Sequence, residues 1–194
     1  ARNKRPIMMV TCRGCVVLCS FCNQGVGGVR QRSVERFVEE VEVLVGQYGI
    51  DTINFGDSTL MVNKKFVEGF CNELIKRRLA LTWYCASCVS DLSAKHEDLL
   101  RLMKAAGCRR LHFGVESRSP EILKGIKNGT SVEAAELSIH MARKAGLIVH
   151  ATCNLRPARR ERTDHRRDRR VLPAQPDADH LLLRHRLSRN RALF

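Results

Sequence analysis

Four times within the first 155 residues an apolar run of strand length is followed by an amphipathic run of helix length, and a fifth apolar run closes the series. Pro6 to Val10 (PIMMV) reads as a buried strand, and Ser33 to Tyr48 as a helix. Ser33 supplies a cap, Val34, Phe37, Val41 and Val45 fall on one face, and Gly49 punctuates the end. Asp51 to Phe55 predicts a strand. Asn63 to Leu79 predicts a helix with Phe66, Phe70, Leu74 and Ile75 on one face. Leu81 to Ala86, Arg110 to Val115 and Leu147 to Leu155 read as further strands. Lys95 to Ala106 and Ser131 to Ala145 read as helices stopped by Gly107 and Gly146. Strands separated by helices of this length pair in parallel through right-handed crossovers. The pattern predicts an α/β fold: a partial (β/α) barrel with about five parallel strands over residues 1–155, and an irregular C-terminal part. Chemistry in such barrels sits on the loops that follow the strands.

The loop after the first strand is where the chemistry concentrates. Thr11 to Gln24 reads TCRGCVVLCSFCNQ, so Cys15, Cys19 and Cys22 stand at C-x3-C-x2-C. Three thiolates can hold three irons of a cubane cluster and leave the fourth iron open for a chelating cofactor. Cys12, Cys15, Cys19 and Cys22 also spell two C-x2-C pairs, which leaves a four-thiolate zinc site as an alternative, although the pairs are closer than in common zinc modules. The nine cysteines are odd in number and irregular in spacing, which argues for a reduced, cytoplasmic chain rather than a secreted disulfide framework. Cys85 and Cys88 form another C-x2-C pair on a strand; with Cys71, Cys108 and Cys153 they read as core or pocket residues. His112 and His150 read as packed or pocket-lining residues. No apolar run is long enough to span a membrane, and no signal peptide is visible. The chain opens on Ala1 rather than Met, which reads as a fragment.

These residues resemble the core domain of the radical S-adenosylmethionine (SAM) superfamily over about residues 6–155. Arg13 and Gly14 before the first ligand, and Phe21 before the last, extend the match. The resemblance implies a radical SAM enzyme that binds a [4Fe–4S] cluster through Cys15, Cys19 and Cys22. Such an enzyme cleaves SAM reductively to a 5′-deoxyadenosyl radical and draws its electron from a donor such as flavodoxin or ferredoxin. It also implies SAM contacts: Phe21 near the adenine, Gly56 and Asp57 near the amino group, Glu116 and Ser117 near the ribose or carboxylate. The run KAAGCRRLHFGVES is similar to the subgroup of anaerobic oxidative cyclases, methyltransferases and methylthiotransferase-like proteins that often carry an N-terminal cobalamin-binding domain. This chain starts at the first barrel strand, so cobalamin is expected only from a domain outside it. Val16, Cys12, Cys88 and Ser58 depart from the family's common Pro, Ser, Arg and Asp, and bear on substrate handling. The substrate, expected to be a small molecule, is not readable.

Residues 156–194 break the pattern. They hold 12 Arg, no Lys and 5 acidic residues, net +7, half of the chain's formal +14. A basic tail suggests phosphate binding and hence nucleic acid, and a non-catalytic remnant is a further alternative. A shifted reading frame is the preferred account. In the neighbouring frame Arg156 to Glu161 permits Gly-Leu-Pro-Gly-Glu, Asp164 to Arg170 permits TIAETV, and Leu181 to Phe194 permits FYYATAYPGTELF, segments similar to the family's after its fifth strand. Two domains are expected on this reading, a core over 1–155 and an Arg-rich tail over 156–194.

Overall fold

The computed structural model describes residues 5–17, 19–22, 28–126 and 129–153. The expectations for Asn154, Leu155 and the tail lie outside the described residues.

Five parallel strands form one sheet in the order β1 (Pro6–Met9), β4 (Thr52–Phe55), β5 (Thr82–Cys88), β6 (Cys108–Glu116), β7 (Ile148–Cys153). A second, two-residue pairing joins β2 (Cys12–Arg13) antiparallel to β3 (Arg30–Gln31). Strand order follows chain order, so every crossover runs the same way and the helices gather on one face. These are α1 (Val34–Tyr48), α2 (Lys64–Lys76), α3 (Glu97–Ala105) and α5 (Val132–Lys144), with a short α4 (Pro120–Ile126) before α5. The strands and helices match the expected alternation. β5 runs on to Cys88, β6 starts earlier at Cys108, and the third helix begins with a 3-10 turn at Ala94–His96.

Local chemistry sets the helix starts. The Ser33 hydroxyl accepts the Arg36 amide, Asn63 the Phe66 amide and Ser131 the Ala134 amide, each satisfying a donor the helix leaves orphaned. Gly49 ends α1 in the left-handed conformation, at φ +63°. Phe37, Phe55, Phe66, Phe70 and Trp83 interlock between sheet and helices with ring centroids 5.5–6.4 Å apart. Trp83 is fully buried and donates its indole N–H to the Ala106 carbonyl at 2.9 Å.

Alternation along the strands divides the sheet's two faces. Trp83, Cys85, Leu111, Phe113, Val115, Val149 and Ala151 are buried beneath the helices. Tyr84, Arg110, His112 and His150 point to the helix-free face, whose lower end leaves Met8 73% and Ile148 44% exposed. Cys71, Cys85 and Cys108 are buried on the helix side, as small hydrophobes are expected to be. Cys153 differs: it is only half-buried at the strand's end.

Candidate functional site

The site is built at the C-terminal ends of the strands. Directly after β1 the chain passes Asp57, which stands two residues past β4. The Asp57 carboxylate is buried and accepts the Thr11 amide at 3.1 Å, the Thr11 hydroxyl at 2.7 Å and the Cys12 amide at 2.8 Å. It therefore fixes the point at which the cysteine loop leaves the sheet. Burial, with the Asp57 carboxylate beside it, pushes the Cys12 thiol up to about 12.

Beyond it, Gly14 at φ +89° lets the hairpin close; a Cβ there would sit 1.9 Å from the Gly28 carbonyl oxygen. The Val17 amide donates to Cys15 Sγ at 3.4 Å. The Cys22 amide donates to the Cys19 carbonyl, making a turn, and the Ser20 amide donates to the Ile126 carbonyl at the end of α4. This part of the loop is therefore tied to a helix absent from the sequence expectation. Burial raises the Cys19 thiol to about 11, and Cys88, Cys22, Glu116 and Cys15 add in that order, which places all four within electrostatic reach of it. The thiols do not converge on one point: among the described residues no three His, Cys, Asp or Glu are placed to hold a single metal ion. A cubane asks for three donors on three separate irons. A trio of thiols on one loop, one of them already accepting a backbone amide, fits such a cluster in donor chemistry. Cys22 and Phe21 are exposed at the loop's tip.

At the same end of the sheet, Glu116 ends β6 at φ +65°, with the Ser117 amide donating back to the Val115 carbonyl at 2.8 Å. That is a tight three-residue turn, uncommon and strained for a residue with a side chain. The Glu116 carboxyl folds over Gly114, where a Cβ would meet its Oε1 at 2.6 Å. Burial raises its pKa to about 7. Ser117 is buried, and its hydroxyl accepts the Ser119 amide. Gly56 is close-packed: a Cβ would lie 3.1 Å from Val10 Cγ1, and its amide donates to the Met9 carbonyl. The loop cysteines, Asp57, Cys88 and Glu116 thus share one end of the sheet. The sequence points to Asp57 as a cofactor contact; in the structure its Oδ1 takes most of the loop's hydrogen bonds, while Oδ2 accepts the Thr11 amide alone. Sequence reasoning missed that Gly114 makes room for Glu116, which no composition signal marks.

The family model "Radical SAM superfamily" matches residues 9–169, and the chain belongs to that superfamily. It is 35% identical over 143 residues to an uncharacterised methyltransferase of Pyrococcus horikoshii, covering 72% of this chain and 30% of that protein. It is 33% identical over 152 residues to the anaerobic magnesium-protoporphyrin IX monomethyl ester cyclase of Rubrivivax gelatinosus, covering 77% and 27%. Among solved structures, the radical SAM methyltransferase TsrM of Kitasatospora setae, with cobalamin and a [4Fe–4S] cluster bound, superposes with a TM-score of 0.66 at 26% identity, covering 75% of this chain and 28% of that one. The chain spans under a third of each of these proteins. The fold is accordingly a partial radical SAM barrel, and the family implies a [4Fe–4S] cluster and SAM.

Proposed function

We propose that this chain is the cofactor-binding part of a radical SAM enzyme, with Cys15, Cys19 and Cys22 as the cluster ligands. The observation that supports it is the position of the three cysteines on the loop after the first strand, with Cys19 in electrostatic reach of Glu116. When bound, the cluster supplies an electron that breaks a carbon–sulfur bond of SAM, giving methionine and a 5′-deoxyadenosyl radical. The residues around it position and exclude water. Asp57 holds the loop by its Thr11 and Cys12 amides. Phe21 offers a flat apolar surface beside Cys22, Gly56 permits close approach, and Glu116 with Ser117 presents polar groups to the cofactor's ribose or carboxylate. The electron comes from a small redox protein such as flavodoxin or ferredoxin. Cobalamin, in a methyltransferase or cyclase reaction like those of its relatives, would be supplied by a domain outside these residues. No described helix is long and apolar enough to cross a membrane. The division near residue 155, with a shifted frame beyond it, is part of this proposal; the family match itself runs on to residue 169. The gene's nucleotide sequence around the codon for Leu155 tests it directly.

Anaerobic reconstitution with iron and sulfide tests the cluster. The expected protein is brown, absorbs near roughly 400 nm as iron–thiolate centres do, and yields 5′-deoxyadenosine from SAM once reduced. Ala at Cys15, Cys19 or Cys22 abolishes the colour, while Cys12→Ala keeps it. A colourless protein that retains stoichiometric zinc would sink the reading.

A further inference from the structure

The helix-free face of the sheet carries a group of side chains that the cluster does not use. Pairing register sets them in rows. Tyr84 lies opposite Arg110, Ala86 opposite His112, and His112 opposite His150. Arg110 lies flat over Tyr84, with its guanidinium carbon 4.6 Å from the ring centroid. Among the described residues this guanidinium makes no hydrogen bond and no ion pair; it stacks on Tyr84. A guanidinium has five donors in a fixed fork, and here a half-buried one is pinned by an aromatic plate with those donors unspent. His112 and His150 face each other with centroids 6.4 Å apart at 74°. His112 Nε2 is 3.2 Å from the Thr152 hydroxyl, which itself donates to the Phe113 carbonyl. That arrangement leaves Nδ1 of His112 to take up a proton. Burial, then His150, then Arg110 hold the His112 pKa below its ordinary value. Among the described residues of the strands, Glu116 at the rim is the first carboxylate on this face.

We propose that Arg110, His112 and His150, with Tyr84 as a platform, form a subsite for an oxyanion of the substrate, a phosphate or a carboxylate. Setting the Arg110 guanidinium, its donors unspent among the described residues, beside the half-buried His112 ring is favourable around an anion. Arg supplies a bidentate fork, and the imidazoles supply charge as they protonate. The position constrains the substrate. His112 lies four residues from Glu116, on the order of 13 Å along the strand. The substrate is therefore elongated, with its anionic end about that far from the carbon that reacts at the rim. This rests on the proposed radical SAM site only for the identity of the occupant as substrate.

The test uses the reconstituted protein, titrated anaerobically with inorganic phosphate in one arm and succinate in the other, by calorimetry and by NMR of the histidine rings. Binding in either arm, weakened roughly tenfold or more in Arg110→Gln and partly retained in Arg110→Lys, is the expected result; the tighter arm names the anion. Arg101→Gln, on an exposed helix, is the control and binds as the wild type does. The His112 resonance should titrate at higher pH when anion is present. Among the described residues, the titratable and charged groups around His112 are Arg110 two positions back on its own strand, Tyr84 and Cys88 on β5, and His150 on β7, with Glu116 four positions further along β6. Failure of both anions to bind, or equal binding by wild type and Arg110→Gln, overturns the subsite. Iron content measured on the same samples keeps that failure distinct: a protein without iron fails the cluster reading whatever the anion does.

Discussion

Gly114→Ala should move a carboxyl group without breaking a strand. The new methyl would sit 2.6 Å from Oε1 of Glu116, the free end of a flexible side chain, and Gly114 itself is not in a left-handed conformation. The cheapest response is for the Glu116 carboxyl to swing out. In the wild type that carboxyl is pushed by burial from 4.5 to about 7. A folded-state pKa above the unfolded one means that the folded protein binds more protons between those values, so stability is full below about 4.5 and lost as pH rises through about 7. The loss across that window is up to about 3 kcal/mol. In Gly114→Ala, and equally in Glu116→Gln, the slope should vanish. Either variant then approaches or exceeds wild-type stability at pH 8 while losing affinity for SAM. Urea denaturation of the iron-free protein from pH 4.5 to 8 measures this. Trp83, the chain's single tryptophan and fully buried, reports unfolding. A wild-type profile that is flat, or a Gly114→Ala profile with the wild-type slope, would refute the placement of this carboxyl.

Asp57→Ala strands the Thr11 and Cys12 amides and the Thr11 hydroxyl. It should cost about 2–4 kcal/mol and lower the iron bound per chain, read by denaturation and by iron assay. Gly14→Ala forces a Cβ to 1.9 Å from a backbone oxygen at φ +89°; it should reduce iron uptake sharply while the Trp83 signal of the main sheet persists. His112, with its pKa depressed by burial, His150 and Arg110, resists protonation in the folded state. In a Glu116→Gln background, stability should therefore fall as pH drops below about 6.5, and His112→Asn should remove that fall.

The sheet and its helices were legible because their signals are periodic. Val34, Phe37 and Val41 mark a helix face, and Ser33, Asn63 and Ser131 mark its beginnings. The three loop cysteines were legible as a spacing. What escaped were features that periodicity does not record. β2 and β3 are two residues each and carry arginine, so nothing in their composition separates them from loop. α4 is a single short run, Pro120–Ile126, whose role is to offer Ile126's carbonyl to the cysteine loop. The left-handed turn at Glu116 is set by tertiary packing, because a glutamate gives no hint of positive φ. Asp57 was legible as important, but its partners were not, since Thr11 and Cys12 lie 46 and 45 residues away in the chain.

Several departures from local preference fall on one side of the molecule. The strained turn and buried carboxyl at Glu116, the unspent guanidinium of Arg110 and the facing imidazoles of His112 and His150 share the helix-free face or its rim. The opposite face holds the aromatic cluster and the capped helices, with Arg78 at φ +53° just beyond α2 as its one left-handed non-glycine residue among those described. On the readings proposed above, a hydrogen-bonding cofactor would stabilise the Glu116 carboxyl, and an anion the Arg110 guanidinium beside His112. Ligands that relieve strain bind the folded state alone and so stabilise it by mass action. The core beneath the helices therefore sets whether the chain folds, while the helix-free face sets what it holds. The two can be separated experimentally, because substitutions on that face should change ligand affinity and pH dependence more than they change the unfolding of the Trp83 core.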